Sequence, residues 1–132
     1  LAGINAGGAQ AMPRVVHFEL GVADPERAAQ FYRAVFGWKV EKWGDFDYWL
    51  VTTGEDSEPG INGAILVNKD AKPRTVNTVQ VESIEDAAEK VLDAGGAVVT
   101  EKVTIPNVGH NLFCKDTEGN LFGLHQVDPQ AK

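Results

Sequence analysis

The stretch RVVHFELGV, Arg14 to Val22, sets His17 and Glu19 two positions apart among Val15, Val16, Phe18, Leu20 and Val22. On a β-strand, residues two apart share a face and stand about 6.6 Å apart along the chain. The imidazole and the carboxylate are therefore neighbours. Such a pair has three chemical uses. As a hydrogen-bonded pocket lining, the carboxylate fixes the imidazole tautomer and favours its charged form. In a sheltered cleft, the same pair is a general base able to take a proton next to a carbonyl. With a third donor it becomes part of a two-histidine, one-carboxylate metal set, and His125 in NLFGLHQV is the residue that could complete it.

Two helices and a set of strands must position these residues. In DPERAAQFYRAVFG, Ala28, Phe31, Tyr32 and Val35 recur at helical spacing, with Asp24 as N-cap, Pro25 at the first helical position and Gly37 as stop. In SIEDAAEKVLDAGG, Ile84, Ala87, Ala88 and Val91 repeat that spacing between a Ser83 cap and Gly95–Gly96. A shift of 59 residues carries Asp24 onto Ser83, Glu26 onto Glu85, Gly37 onto Gly96 and Val40 onto Val99. The chain is an internal repeat. Strand patterns flank both helices: VVHFELGV, WKVEKW, DYWLVTT and GINGAILV in the first half, TVNTVQVE, AVVTEKV, HNLFCK and NLFGLHQV in the second. On the closing strands a shift of 60 pairs Gly63 with Gly123 and Val67 with Val127.

Each half thus reads as a βαβββ module, 15–67 and 75–127, in a single α+β domain of residues 12–132. One helix covers one face of each small sheet. The uncovered faces are expected to form a curved sheet around a shared cleft. Period two places Val16, Phe18, Leu20 and Val22 with the helix, and His17, Glu19 and Gly21 in the cleft. By the repeat, Val76, Thr78 and Gln80 join them, with Ile61, Gly63 and Ile65, and Leu121, Gly123 and His125, on the closing strands. Tyr48 and Trp49 are adjacent on a strand and must face opposite ways; Trp49 is assigned to the ligand side. Trp38 and Trp43 are further aromatics of the same region, suited to core, interface or a flat ligand. His110 reads as a rim residue and Cys114 as a small apolar filler.

Composition narrows the function classes. A net charge of −7, with no run of basic residues, disfavours nucleic acid and anionic membrane surfaces. Hydrophobic residues make up 43% of 132 residues, enough for a core without staples. One cysteine makes no disulfide framework and fits a reducing, cytoplasmic setting. No apolar stretch has the length of a membrane span. The Gly-rich residues 1–11 read as a leader outside the domain, with Met12 as the natural start.

The duplicated module plan, HFELGVADPERAAQFYRAVFGW and KDTEGNLFGLHQ resemble the glyoxalase/bleomycin resistance/extradiol dioxygenase superfamily, the vicinal oxygen chelate proteins, over nearly all of Val15–Val127. The resemblance implies that enzymes of this fold hold a divalent metal on up to four His, Glu or Gln ligands from the first and last strand of each half. Carried over, those positions fall on His17, near Gly63, on Val76 and on Gly123. Glycine and valine have no side-chain donor, so the usual metal site looks dismantled. The resemblance further implies a homodimer. The expectation is a protein that binds a small organic, aromatic or drug-like ligand without a cofactor, through Trp49, Gly63, Thr78, Gln80, Gly123 and His125. The alternative is an enzyme of lyase, isomerase or dioxygenase type in which His17 and Glu19 are catalytic. It would use a divalent metal on His17, Glu19 and His125, or His17 as a metal-free base.

Overall fold

The computed structural model describes residues 13–70 and 72–132; the leader at residues 1–11 and the start assigned to Met12 lie outside the described residues. Contacts divide the chain into two compact units, one holding Val16–Val76 and the other Asn77–Lys132.

The first unit runs β1 (Arg14–Val22), α1 (Pro25–Phe36), β2 (Lys39–Lys42), β3 (Tyr48–Thr52) and β4 (Asn62–Val67). Asp24 caps α1 by accepting from the Arg27 backbone N–H, and Pro25 occupies the first turn, where its missing N–H costs nothing. Gly37 ends the helix at φ 71, a left-handed conformation that carries little penalty only for glycine, with its N–H on the Arg33 carbonyl. The helix lays Ala28, Ala29 and Tyr32 on a core of Val40, Trp49, Val51 and Ile65, joined by Phe18, Leu20, Val22 and Trp38. The sheet order is β2-β3-β4-β1, with β1 and β4 parallel and the other pairs antiparallel.

The second unit runs β5 (Arg74–Gln80), α2 (Ile84–Asp93), β6 (Ala97–Val98), β7 (Val103–Ile105), β8 (Gly109–Lys115) and β9 (Leu121–Val127). Ser83 caps α2 through the Asp86 N–H. The Ile84 N–H donates instead to the Gln126 side chain of β9, which ties the helix start to the sheet. Ile84, Leu112, Cys114 and Leu124 form the core, with Val79, Val81, Ala87, Ala88, Val91 and Phe122 around it. Strand β9 lies parallel to β5 and antiparallel to β8, and both β6 and β7 pair with β8. The expected single strand AVVTEKV is thus two short ones. Val99 and Thr100 both donate to the Phe113 carbonyl, and this doubling interrupts the ladder between them. Each unit is a βαβββ module apart from this break, and the fold is α+β.

Candidate functional site

Strand register fixes which residues share the His17 face. On β4, His17 pairs with Asn62, Phe18 with Gly63, Glu19 with Ala64 and Leu20 with Ile65. On β3, Tyr48 pairs with Leu66, Trp49 with Ile65 and Leu50 with Ala64. Paired residues stand on one side of a sheet. The face opposite α1 therefore carries His17, Glu19, Asn62, Ala64, Leu66, Tyr48 and Leu50, and the α1 side carries Phe18, Leu20, Gly63, Ile65, Trp49 and Val51.

Two sequence expectations are corrected by this register. Gly63 is on the helix side: a Cβ there would meet the Phe18 carbonyl oxygen at 2.4 Å and the Phe18 ring at 2.7 Å. Matching Gly63 to Gly123 set the repeat one residue out of phase on β4, and on a strand one residue inverts every face. With Glu19 opposite Ala64 and Thr78 opposite Gly123, the shift is 59 here as elsewhere, and Ala64 is the counterpart of Gly123. Ile65 moves with it into the core. Trp49 is likewise a core residue, 7% exposed, with its indole N–H on the Glu26 carboxylate at 3.0 Å. Tyr48 takes the place on the His17 face that was expected for Trp49.

Tyr48 makes the site. Its hydroxyl lies 3.0 Å from His17 Nε2 and donates to Glu19 Oε2 at 2.7 Å, while His17 Nε2 and Glu19 Oε2 are 3.8 Å apart. The His17 and Glu19 side chains are 12% and 16% exposed. Burial alone would raise the Glu19 carboxyl, but the neighbouring His17 and Tyr48 outweigh it and hold the group below the usual carboxylate range. Burial first, then the Glu19 charge and hydrogen bond, push the Tyr48 phenol far above its ordinary value, so it keeps its proton. His17 Nδ1 is buried and has no hydrogen-bond partner within the protein. Trp43, whose backbone N–H donates to the Tyr48 carbonyl, continues this face beyond β3; its ring centroid is 5.9 Å from that of Tyr48 and 5.4 Å from that of Phe46. Trp43 and Phe46 are both exposed, which leaves an aromatic surface beside the polar trio.

In the second unit, Thr78 pairs with Gly123 and Gln80 with His125, all four on the face away from α2, as expected. A Cβ on Gly123 would come within 3.1 Å of Thr78 Oγ1. His125 is 6% exposed and its Nδ1 engages the Asn111 side-chain oxygen. Gln80 Oε1 is a second buried polar atom without a hydrogen-bond partner. His110 lies on the opposite face from His125, between Thr104 at 3.0 Å and Asp128 at 3.2 Å, where it binds the end of β9 to the β7–β8 hairpin. Cys114 is a core residue, and burial raises its thiol.

Residues 14–54 match a family model described as the bleomycin resistance protein-like N-terminal domain. Among solved structures, methylmalonyl-CoA epimerase from Mycobacterium tuberculosis is similar at a TM-score of 0.63 and 17% identity, over 92% of this chain and 93% of that one. A Streptomyces coelicolor methylmalonyl-CoA epimerase variant in complex with 2-nitronate-propionyl-CoA gives 0.66 and 16%, over 92% and 99%. A hypothetical protein from Bacillus halodurans C-125 gives 0.65 and 14%, over 92% and 99%. The chain has the α+β fold of the glyoxalase/bleomycin resistance proteins. A sequence comparison with curated proteins finds no match.

The superfamily's metal site does not fit these residues. Asn62, the register partner of His17, has its side-chain oxygen engaged by the Thr53 N–H at 2.9 Å and the Thr53 hydroxyl at 3.2 Å. Val76 and Gly123 have no donor to offer. Among the described residues, no three His, Cys, Asp or Glu side chains are grouped as a metal's ligands would be. Tyr48 was missed by sequence reasoning. The signal that could have found it is the Tyr48–Trp49 alternation, once Trp49 is assigned to the α1 core.

Proposed function

We propose that this protein binds a small organic ligand bearing a flat aromatic ring on the His17 face of its first module, without a bound metal. The observation that carries this reading is His17 Nδ1, a buried polar atom left without a partner beside an otherwise satisfied His17–Tyr48–Glu19 network. Buried polar atoms are nearly always paired, so an unpaired one calls for a partner from outside the chain or a role of its own. The exposed Trp43 and Phe46 rings next to Tyr48 support the aromatic part of the ligand. In the second module, Gln80 with its unpartnered oxygen, Thr78, Gly123 and His125 are the further candidates for ligand contact. Working as a homodimer belongs to the same reading, supported by the exposed apolar residues Phe31, Val35 and Phe36 of α1.

A second reading is metal-free proton transfer, with His17 as base and Glu19, behind Tyr48, stabilising the imidazolium. The Glu19 carboxylate, kept ionised next to a sheltered imidazole, favours it. The similarity in fold to epimerases is compatible with it. Both readings are tested on chelator-stripped protein by calorimetry against bleomycin, flat aromatic drugs and acyl-CoA thioesters. Mass spectrometry in heavy water would follow deuterium uptake into each compound. Metal-independent binding of an aromatic compound, weakened at least tenfold by His17→Ala, supports the binder. Deuterium uptake abolished by the same variant makes the protein an enzyme. Binding that requires added metal overturns both.

A further inference from the structure

The inference that follows rests on the reading that His17 is the polar contact of the site. We infer that Tyr48 is a positioning residue whose hydroxyl, set between Glu19 and His17, holds the imidazole in one tautomer, so that Nδ1 is the bare nitrogen offered to a ligand's hydrogen-bond donor. Three side chains share the available protons. The phenol has one proton and two neighbours, Glu19 Oε2 at 2.7 Å and His17 Nε2 at 3.0 Å. An ionised carboxylate can only accept. If Tyr48 gave its proton to Nε2, its oxygen would face the carboxylate oxygen at 2.7 Å with no proton between them. The proton therefore points to Glu19, and the phenolic oxygen accepts from His17. Nε2 must then carry a hydrogen, and a neutral imidazole has no second one for Nδ1.

The lowered carboxyl of Glu19 and the raised phenol of Tyr48 agree with this arrangement. Without the hydroxyl, nothing in the network sets that direction, because His17 Nε2 and Glu19 Oε2 are separated by 3.8 Å, beyond hydrogen-bond range. The sequence placed Glu19 directly against His17. The structure inserts Tyr48, from a strand 29 residues further along, between them. Tyr48 and Glu19 thereby decide which nitrogen, and which hydrogen-bonding sense, the site presents.

The test uses ¹⁵N-labelled, ligand-free protein and long-range proton–nitrogen NMR at about pH 8.5, above the ordinary imidazole range. His17→Ala assigns the resonances. The wild type is expected to hold His17 in a single tautomer with Nε2 protonated and Nδ1 bare. In Glu19→Gln the side-chain amide can donate to Tyr48 and turn the phenol proton toward Nε2, so the Nδ1-protonated form should rise to about a tenth of the population or more. Tyr48→Phe, which removes one oxygen, should produce the same second form. Unchanged His110 and His125 resonances report an intact fold, and if Glu19→Gln fails to fold, Tyr48→Phe carries the test. A wild type protonated at Nδ1, or folded variants that keep one unmixed tautomer, overturns the inference. Because no ligand is present, a failed ligand screen would sink the proposed function without touching this result.

Discussion

Gly63→Ala separates the two possible faces of β4 more sharply than any other single change. Were Gly63 on the ligand side, a methyl group there would occupy open space at little cost to stability. In the observed register the new Cβ lies 2.4 Å from the Phe18 backbone oxygen and 2.7 Å from two carbons of its ring, where about 3.5 Å is the closest comfortable approach. Rotating the ring relieves only part of the overlap. The carbonyl belongs to β1 in its parallel pairing with β4 and moves only with the ladder. Overpacking of this kind costs about 1–3 kcal/mol, and a backbone obstacle puts the expected loss at the upper end, about 3 kcal/mol. For a domain of this length that is a fall in Tm on the order of 10 °C. Urea unfolding at unchanged m-value and calorimetry would both read it. Gly123→Ala is the control: its Cβ would meet Thr78 Oγ1 at 3.1 Å and the Phe113 ring at 3.5 Å, both movable side chains, for an expected loss of about 1 kcal/mol or less. A Gly63→Ala protein within about 0.5 kcal/mol of wild type would refute the register, and with it the assignment of Asn62 and Ala64 to the His17 face.

Trp49→Phe removes the indole hydrogen bond to Glu26 and the contact with Lys42, whose ammonium is 5.4 Å from the ring centroid; thermal unfolding should report a loss of about 1–2 kcal/mol with ligand affinity unchanged. Asp24→Ala deletes the cap of α1 and should cost about 1 kcal/mol in the same assay. Trp43→Ala removes an exposed ring and should weaken an aromatic ligand in calorimetry by about tenfold while leaving Tm nearly unchanged. Glu19 gives a pH dependence. Its carboxyl is held lower in the folded chain than in the unfolded one, so folding is favoured above the unfolded value and that stability is lost as pH falls from about 4.5 through the folded value. Acid titration of unfolding free energy should therefore be steeper for wild type than for Glu19→Gln; equal slopes would remove the carboxylate from the network.

The helices were legible because their signals are local. Asp24, Pro25 and Gly37 mark the ends of α1 and Ser83 the start of α2 whatever surrounds them, since each acts on backbone groups within one turn. The duplication was legible for a similar reason: the same caps and apolar spacing recur 59 residues on. His17 and Glu19 were identified as a facing pair because residues two apart on one strand share a face without reference to any other strand. What tertiary structure alone decided was the phase between strands. Whether Gly63 or Asn62 lies beside His17, and whether Tyr48 or Trp49 does, depends on the register of β4 against β1 and of β3 against β4, set by pairing between segments far apart in the chain. Local pattern leaves both parities open on β4, where Gly63, Ala64, Ile65 and Leu66 are all small or apolar. Packing of Ile65 and Trp49 against α1 closes one of them. That choice brings the Tyr48 hydroxyl between a histidine and a carboxylate that the sequence had set side by side.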